Sequence, residues 1–205
     1  ELRVVAQANR RLNDQEALAR TLHLILEIDP QNVETRLELI ALLESLGKTR
    51  EVIEQRTQMA DVYMSRGLLD LARDEYRAIT RLEPGNLTAW RCLIESRQQL
   101  GETDQMAEDY VSLARALEEA GDVAEALDTY QKVFEIQPNH IEARRRYIEA
   151  FRQTGPESEL VDHYLILADA LVAINQIDEA IAIYSQVMTI DPVNLDDGHE
   201  RVGED

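Results

Sequence analysis

Cysteine occurs once in the 205 residues, at Cys92. No internal disulfide is available, no spacing suggests a cysteine metal cluster, and nothing asks for an oxidising compartment. Cations are scarce as well: 21 Lys and Arg stand against 40 Asp and Glu, a net charge of −19. A protein that neutralises phosphates needs an excess of Lys and Arg on one face, so nucleic acid is not an expected partner. Long apolar runs are missing. Nothing approaches the roughly 20 residues that span a bilayer, and the opening ELRVVAQANRR has no signal-peptide core. A soluble, cytoplasmic chain without metal or cofactor is the expectation. Because it opens at Glu1, already in helical pattern, it is expected to be a segment of a longer protein.

What the chain does have is self-similarity. The set Ala114, Gly121, Ala126, Tyr130 and Pro138 returns at one constant offset as Ala168, Asn175, Ala180, Tyr184 and Pro192. The same offset taken backwards gives Ala60, Gly67, Ala72, Tyr76 and Pro84. A looser copy, Ala6, Asn13 and Pro30 with Leu18 and Leu22, precedes these. The expected organisation is one helical domain over residues 1–192, made of a partial unit 1–30 and full units 31–84, 85–138 and 139–192. Residues 193–205 then begin a further unit or form a tail, with Leu195 in the column of Val33, Leu87 and Ile141.

Each unit reads as three helices. The first runs from about Val33 to Leu46 and ends at Gly47, matched by Gly101 and Gly155. The second, about Arg50 to Arg66, buries Val52, Met59, Ala60 and Tyr63, repeated as Met106, Leu113, Ala114, Leu117 and as Leu160, Leu167, Ala168, Leu171. It ends at Gly67, Gly121 or Asn175. The third, about Leu68 to Leu82, turns Ala72, Tyr76 and Ile79 inward and stops ahead of Pro84. Small residues at Ala60 and Ala72 let two antiparallel backbones approach closely.

The pattern of Ala, Gly or Asn, Ala, Tyr and Pro resembles the tetratricopeptide repeat, best over residues 53–86, 107–140 and 161–194. The family's unit has about 34 residues. The longer, 54-residue period of this chain implies an intervening helix. The resemblance implies an all-α, right-handed α-α superhelix of helical hairpins, about three helices per unit, that acts as a protein-interaction scaffold. It further implies that the first helix of each hairpin lines a concave face. Carried onto this chain, the partner-facing residues are Glu54, Thr57, Asp61 and Met64, then Glu108, Val111, Arg115 and Glu118, then Asp162, Leu165, Asp169 and Val172. The lysines and asparagines with which one subset of the family grips acidic C-termini are absent there. A basic or amphipathic peptide or helix is the expected ligand.

Charge leans the same way. Residues 85–138 hold four cations against 11 carboxylates, and residues 139–192 four against nine. Part of this acidity is ordinary helix chemistry: Glu102, Asp104, Glu157 and Glu159 sit at expected helix starts, where the macrodipole favours them. Arg144, Arg145 and Arg146 form the one dense basic run and are expected on a solvated face, paired with Glu142 and Glu149. Trp90 holds the slot of Arg36 and Arg144, either as an exposed anchor or half-buried. His23, His140, His163 and His199 show no ligand spacing, and no catalytic arrangement is expected. Asp196, Asp197, His199 and Glu200 could hold a cation, although a linker is the expected reading. Beside the scaffold stand two further readings: a spacer or self-association element with open repeat ends, and a substrate-positioning segment of a larger enzyme.

Overall fold

The computed structural model describes residues 1–191. Among them lie eleven α-helices, one 3₁₀ turn and no strand. The helices are α1 (Leu2–Leu12), α2 (Gln15–Ile28), α3 (Val33–Ser45), α4 (Thr49–Ser65), α5 (Leu69–Leu82) and α6 (Leu87–Leu100). Then follow α7 (Thr103–Ala120), α8 (Val123–Ile136), α9 (Ile141–Phe151), the 3₁₀ turn Glu157–Leu160, α10 (Val161–Ala173) and α11 (Ile177–Ile190). The helices α2, α5, α8 and α11 have 14 residues each and begin at residues 15, 69, 123 and 177.

Local chemistry explains the boundaries. Side chains of Asp14, Asn32, Asn86, Asp122 and His140 accept hydrogen bonds from backbone N–H groups three residues on, satisfying the otherwise orphaned donors of a first turn. The turn between the helices of a hairpin requires a left-handed residue. Gly121 supplies it with φ 84°, and Asn175 does so at φ 63° in the last hairpin, as the sequence suggested. Gly155 departs from the expectation. It is not left-handed, and α9 ends four residues before it, at Phe151. A Cβ at Gly155 would lie 2.4 Å from the Phe151 ring, so glycine is there for close approach.

Connections of two to four residues return most consecutive helices side by side within each compact unit. The chain divides into two compact units, residues 1–102 and Thr103 onward. In the first, Leu22, Leu39, Leu43, Val52, Met59 and Ile79 form the core, with Ala60 and Ala72 fully buried where α4 crosses α5. In the second, Tyr130, Val133, Leu160, Leu167, Leu171 and Val187 fill the core around Ala114, Ala126, Ala168 and Ala180, all at 0% exposure. A residue with no side chain beyond Cβ is what brings paired helix axes close enough for this packing.

Candidate interaction surface

In the first unit Glu54, Thr57 and Asp61 are exposed on one side of α4, three and four residues apart, hence on one face. Met64, next on that side, is half-buried against the core. Glu54 borders a groove of about 650 Å³ with Thr49, Arg50, Ile53, Leu82 and Glu83. Asp61 acts electrostatically on Arg36, Tyr76 and Cys92. Burial is the main reason the Tyr76 hydroxyl is pushed up, with Cys92 and then Asp61 adding to it.

In the second unit α9 packs against α8 and α10 and reaches α7 through charged side chains. The Nδ1 of His140 accepts the cap bond from the Ala143 N–H at 3.2 Å, so Nε2 carries the proton and donates to Glu108 at 3.1 Å. Arg115 stands 3.8 Å from Glu142. Glu118 is held from both sides, taking the Tyr130 hydroxyl on Oε1 at 2.8 Å and Arg146 Nη1 on Oε2 at 3.3 Å. Val111, expected to point outward, is 4% exposed and belongs to the core, because the covering helix widens the buried arc of α7. On α10, Asp162 is exposed, Leu165 is half-buried against the core, Asp169 accepts the Tyr184 hydroxyl and Val172 is 45% exposed. Burial, then Asp169, raises the Tyr184 hydroxyl to about 12.

One device escaped the sequence. Arg36, Trp90 and Arg144 each donate a side-chain N–H to the carbonyl of the proline six residues earlier, Pro30, Pro84 and Pro138. Each thereby closes a four-residue turn, between α2 and α3, α5 and α6, and α8 and α9. The solvated face expected for Arg144 is therefore corrected: the residue is 3% exposed. Its guanidinium lies 4.0 Å over the Phe134 ring, and Nη1 donates to His163 Nδ1 at 2.8 Å. Burial lowers the Arg144 pKa. His163 stacks on Tyr147 at 4.3 Å and is held down to about 4, by burial first and the Arg144 charge second. Arg145 pairs with Glu179, and Arg146 with Glu118 and with Glu142 at 3.7 Å, so the three arginines serve three sites. Trp90 is half-buried, its indole N–H committed to Pro84 at 2.8 Å. The sequence signal that could have found it is the slot shared by Arg36, Trp90 and Arg144, six residues after Pro30, Pro84 and Pro138.

Among the described residues no group of three or more His, Cys, Asp or Glu side chains could hold a metal ion. The Cys92 thiol is pushed up mainly by burial, which leaves little thiolate for nucleophilic work. Among the described residues no helix is long and apolar enough to cross a membrane. The carboxylates Asp196, Asp197 and Glu200 with His199, and Leu195, lie outside the described residues.

No curated protein sequence matches the chain. Among solved structures, a MamA protein aligns at 18% identity over 95% of this chain and 92% of its own, with a TM-score of 0.24. BtubC from P. vanneervenii aligns at 15% over 90% and 91%, TM-score 0.35. A kinesin light chain of TPR-like repeats from Podospora anserina aligns at 16% over 92% of each, TM-score 0.38. The identification rests on family models rather than on these superpositions. Residues 107–150 and 162–194 each match a model of the tetratricopeptide repeat, spanning α7 to α9 and α10 to α11, so these two stretches carry tetratricopeptide repeats.

Proposed function

We propose that the chain is a non-catalytic scaffold, built of three-helix units 31–84, 85–138 and 139–192, that holds a peptide or helical segment of a partner protein on the carboxylate-bearing sides of its repeat helices, α4 in the first compact unit and α7 and α10 in the second. The observation that carries this reading is the placement of carboxylates. Glu54, Asp61, Asp162 and Asp169 are exposed on the corresponding side of their helices, and tyrosines of the following helices fix Glu118 and Asp169 from behind. Fixed carboxylates bind cations with little ordering cost. A basic or amphipathic segment is the matching ligand. Retention of partners from lysate of the source cell tests it. Capture at low salt, release at high salt and loss in a Glu54→Lys, Asp61→Lys variant are expected. Capture that ignores both changes rejects this face.

A spacer or self-association role is the second reading, favoured by apolar residues exposed on α1, where Val4 is 69% and Leu12 76% exposed. A strict monomer by light scattering at high concentration rejects self-association.

A further inference from the structure

The hairpin of α10 and α11 repeats that of α7 and α8 position for position, as Ala168 and Ala180 repeat Ala114 and Ala126, yet its outer face differs in cover. On the earlier hairpin α9 lies over α8. Phe134 meets the Tyr147 ring edge-on at 5.7 Å and carries the Arg144 guanidinium, Leu127 is half-buried, and Tyr130 is fully buried. The charged rim of that contact comes from α9 as well, through His140 on Glu108 and Arg146 on Glu118. The counterparts on α11 are exposed: Met188 stands where Phe134 does at 58%, Ile181 where Leu127 does at 57%, and Ile177 where Val123 does at 42%. Tyr184, the counterpart of Tyr130, is half-buried, and Asp162 and Asp169 are exposed on α10. An apolar helix face left this exposed among the described residues is the kind that another element covers.

We propose that this face docks a basic amphipathic helix of a partner protein, which sits on α11 as α9 sits on α8 and turns its cations toward α10 as α9 does toward α7. Charge complementarity selects that occupant. Residues 139–192 carry four arginines against nine carboxylates, and Arg145 is already paired with Glu179. Tyr184 donates to Oδ1 of Asp169. The second oxygen is then the place for an incoming cation; one turn away from the matching position in the earlier hairpin, Glu118 divides its oxygens in the same way, Oε1 to Tyr130 and Oε2 to Arg146. The fitting helix places apolar residues three, four and seven apart over Ile181 and Met188, and Arg or Lys toward Asp162 and Asp169. The proposal rests on the chain being a protein-interaction module, but it uses surface residues other than Glu54 and Asp61.

The probe is a synthetic, end-capped peptide with the sequence of residues 138–152, whose four arginines and two glutamates supply the pattern of α9. It is titrated into the full chain by fluorescence anisotropy. Saturable binding is expected, weakened about tenfold or more by Ile181→Asp with Met188→Asp, and likewise by Asp162→Lys with Asp169→Lys. Glu54→Lys with Asp61→Lys should leave it unchanged, although that pair abolishes partner capture under the function proposed above. Absence of saturable binding, or equal binding in all variants, overturns the proposal. A dimer seen by light scattering and dispersed by Ile181→Asp assigns the face to a second copy and overturns it. So does a Leu195→Asp variant that binds the peptide about tenfold more tightly, since the chain's own residues 193–205 would then be the occupant.

Discussion

A tyrosine hydroxyl buried between two helices must find an acceptor, and this chain gives it a carboxylate. Tyr130, at 0% exposure, donates to Glu118, and Tyr184, half-buried, donates to Asp169. Tyr130→Phe keeps the ring packing and removes that bond, so a loss of about 1 kcal/mol is expected in urea denaturation. Tyr184→Phe should cost less, because water reaches both partners. His163 supplies a second prediction. Its folded-state pKa of about 4 lies below the ordinary value of 6.5, so the unfolded chain takes up the proton first as pH falls. The stability held by the neutral, buried ring is fully present above pH 6.5 and is lost progressively toward pH 4. Arg144 and Tyr147 face the ring, and Asp162 opposes the depression. His163→Asn keeps an acceptor for Arg144 and cannot titrate. Melting temperatures of the two proteins should converge near pH 4 and diverge above pH 6.5. At this scale the sequence misled about arginine, since a guanidinium reads as surface until its acceptor is known. Pro138 and His163 lie 6 and 19 residues from Arg144, beyond any helical neighbourhood that periodicity reports.

Paired helices depend on the small residues at their crossing. Ala126 is 0% exposed in α8 against α7, and a larger side chain would push the axes apart. Ala126→Phe is expected to cost about 1–3 kcal/mol, read as a lower urea midpoint. Glycines divide by mechanism. Gly155→Ala drives a Cβ into the Phe151 ring and should lower the melting temperature. Gly85→Ala meets nothing within 4 Å and has no left-handed φ, so it should be neutral or slightly stabilising. Helix ends were largely legible because caps are local: Asn86 bonds three residues ahead, and Asn175 needs only its own left-handed backbone. The inward stripe Met106, Leu113, Ala114 and Leu117 was legible for the same reason. Val111 was not. Helix α7 packs against α8 and also faces α9, so it buries a wider arc than a one-sided amphipathic helix, and a single stripe does not reveal the second neighbour.

Across the molecule, repetition is what the sequence displayed best, and it displayed it through spacing rather than through any single residue. The helices α2, α5, α8 and α11 share one length and start at one regular interval. Binding chemistry was less legible, because carboxylates such as Glu108 and Glu118 look alike on paper whether they await a partner or already hold His140 and Arg146. The chain's one tryptophan, Trp90, sits in α6 with its indole against the Pro84 carbonyl, inside the unit that spans residues 1–102. Its emission is therefore an optical reporter of that unit alone, whereas far-ultraviolet dichroism sums the helices of both. Two midpoints are expected when one urea titration is followed by both signals. Coincident curves would mean that the two units melt as one cooperative body.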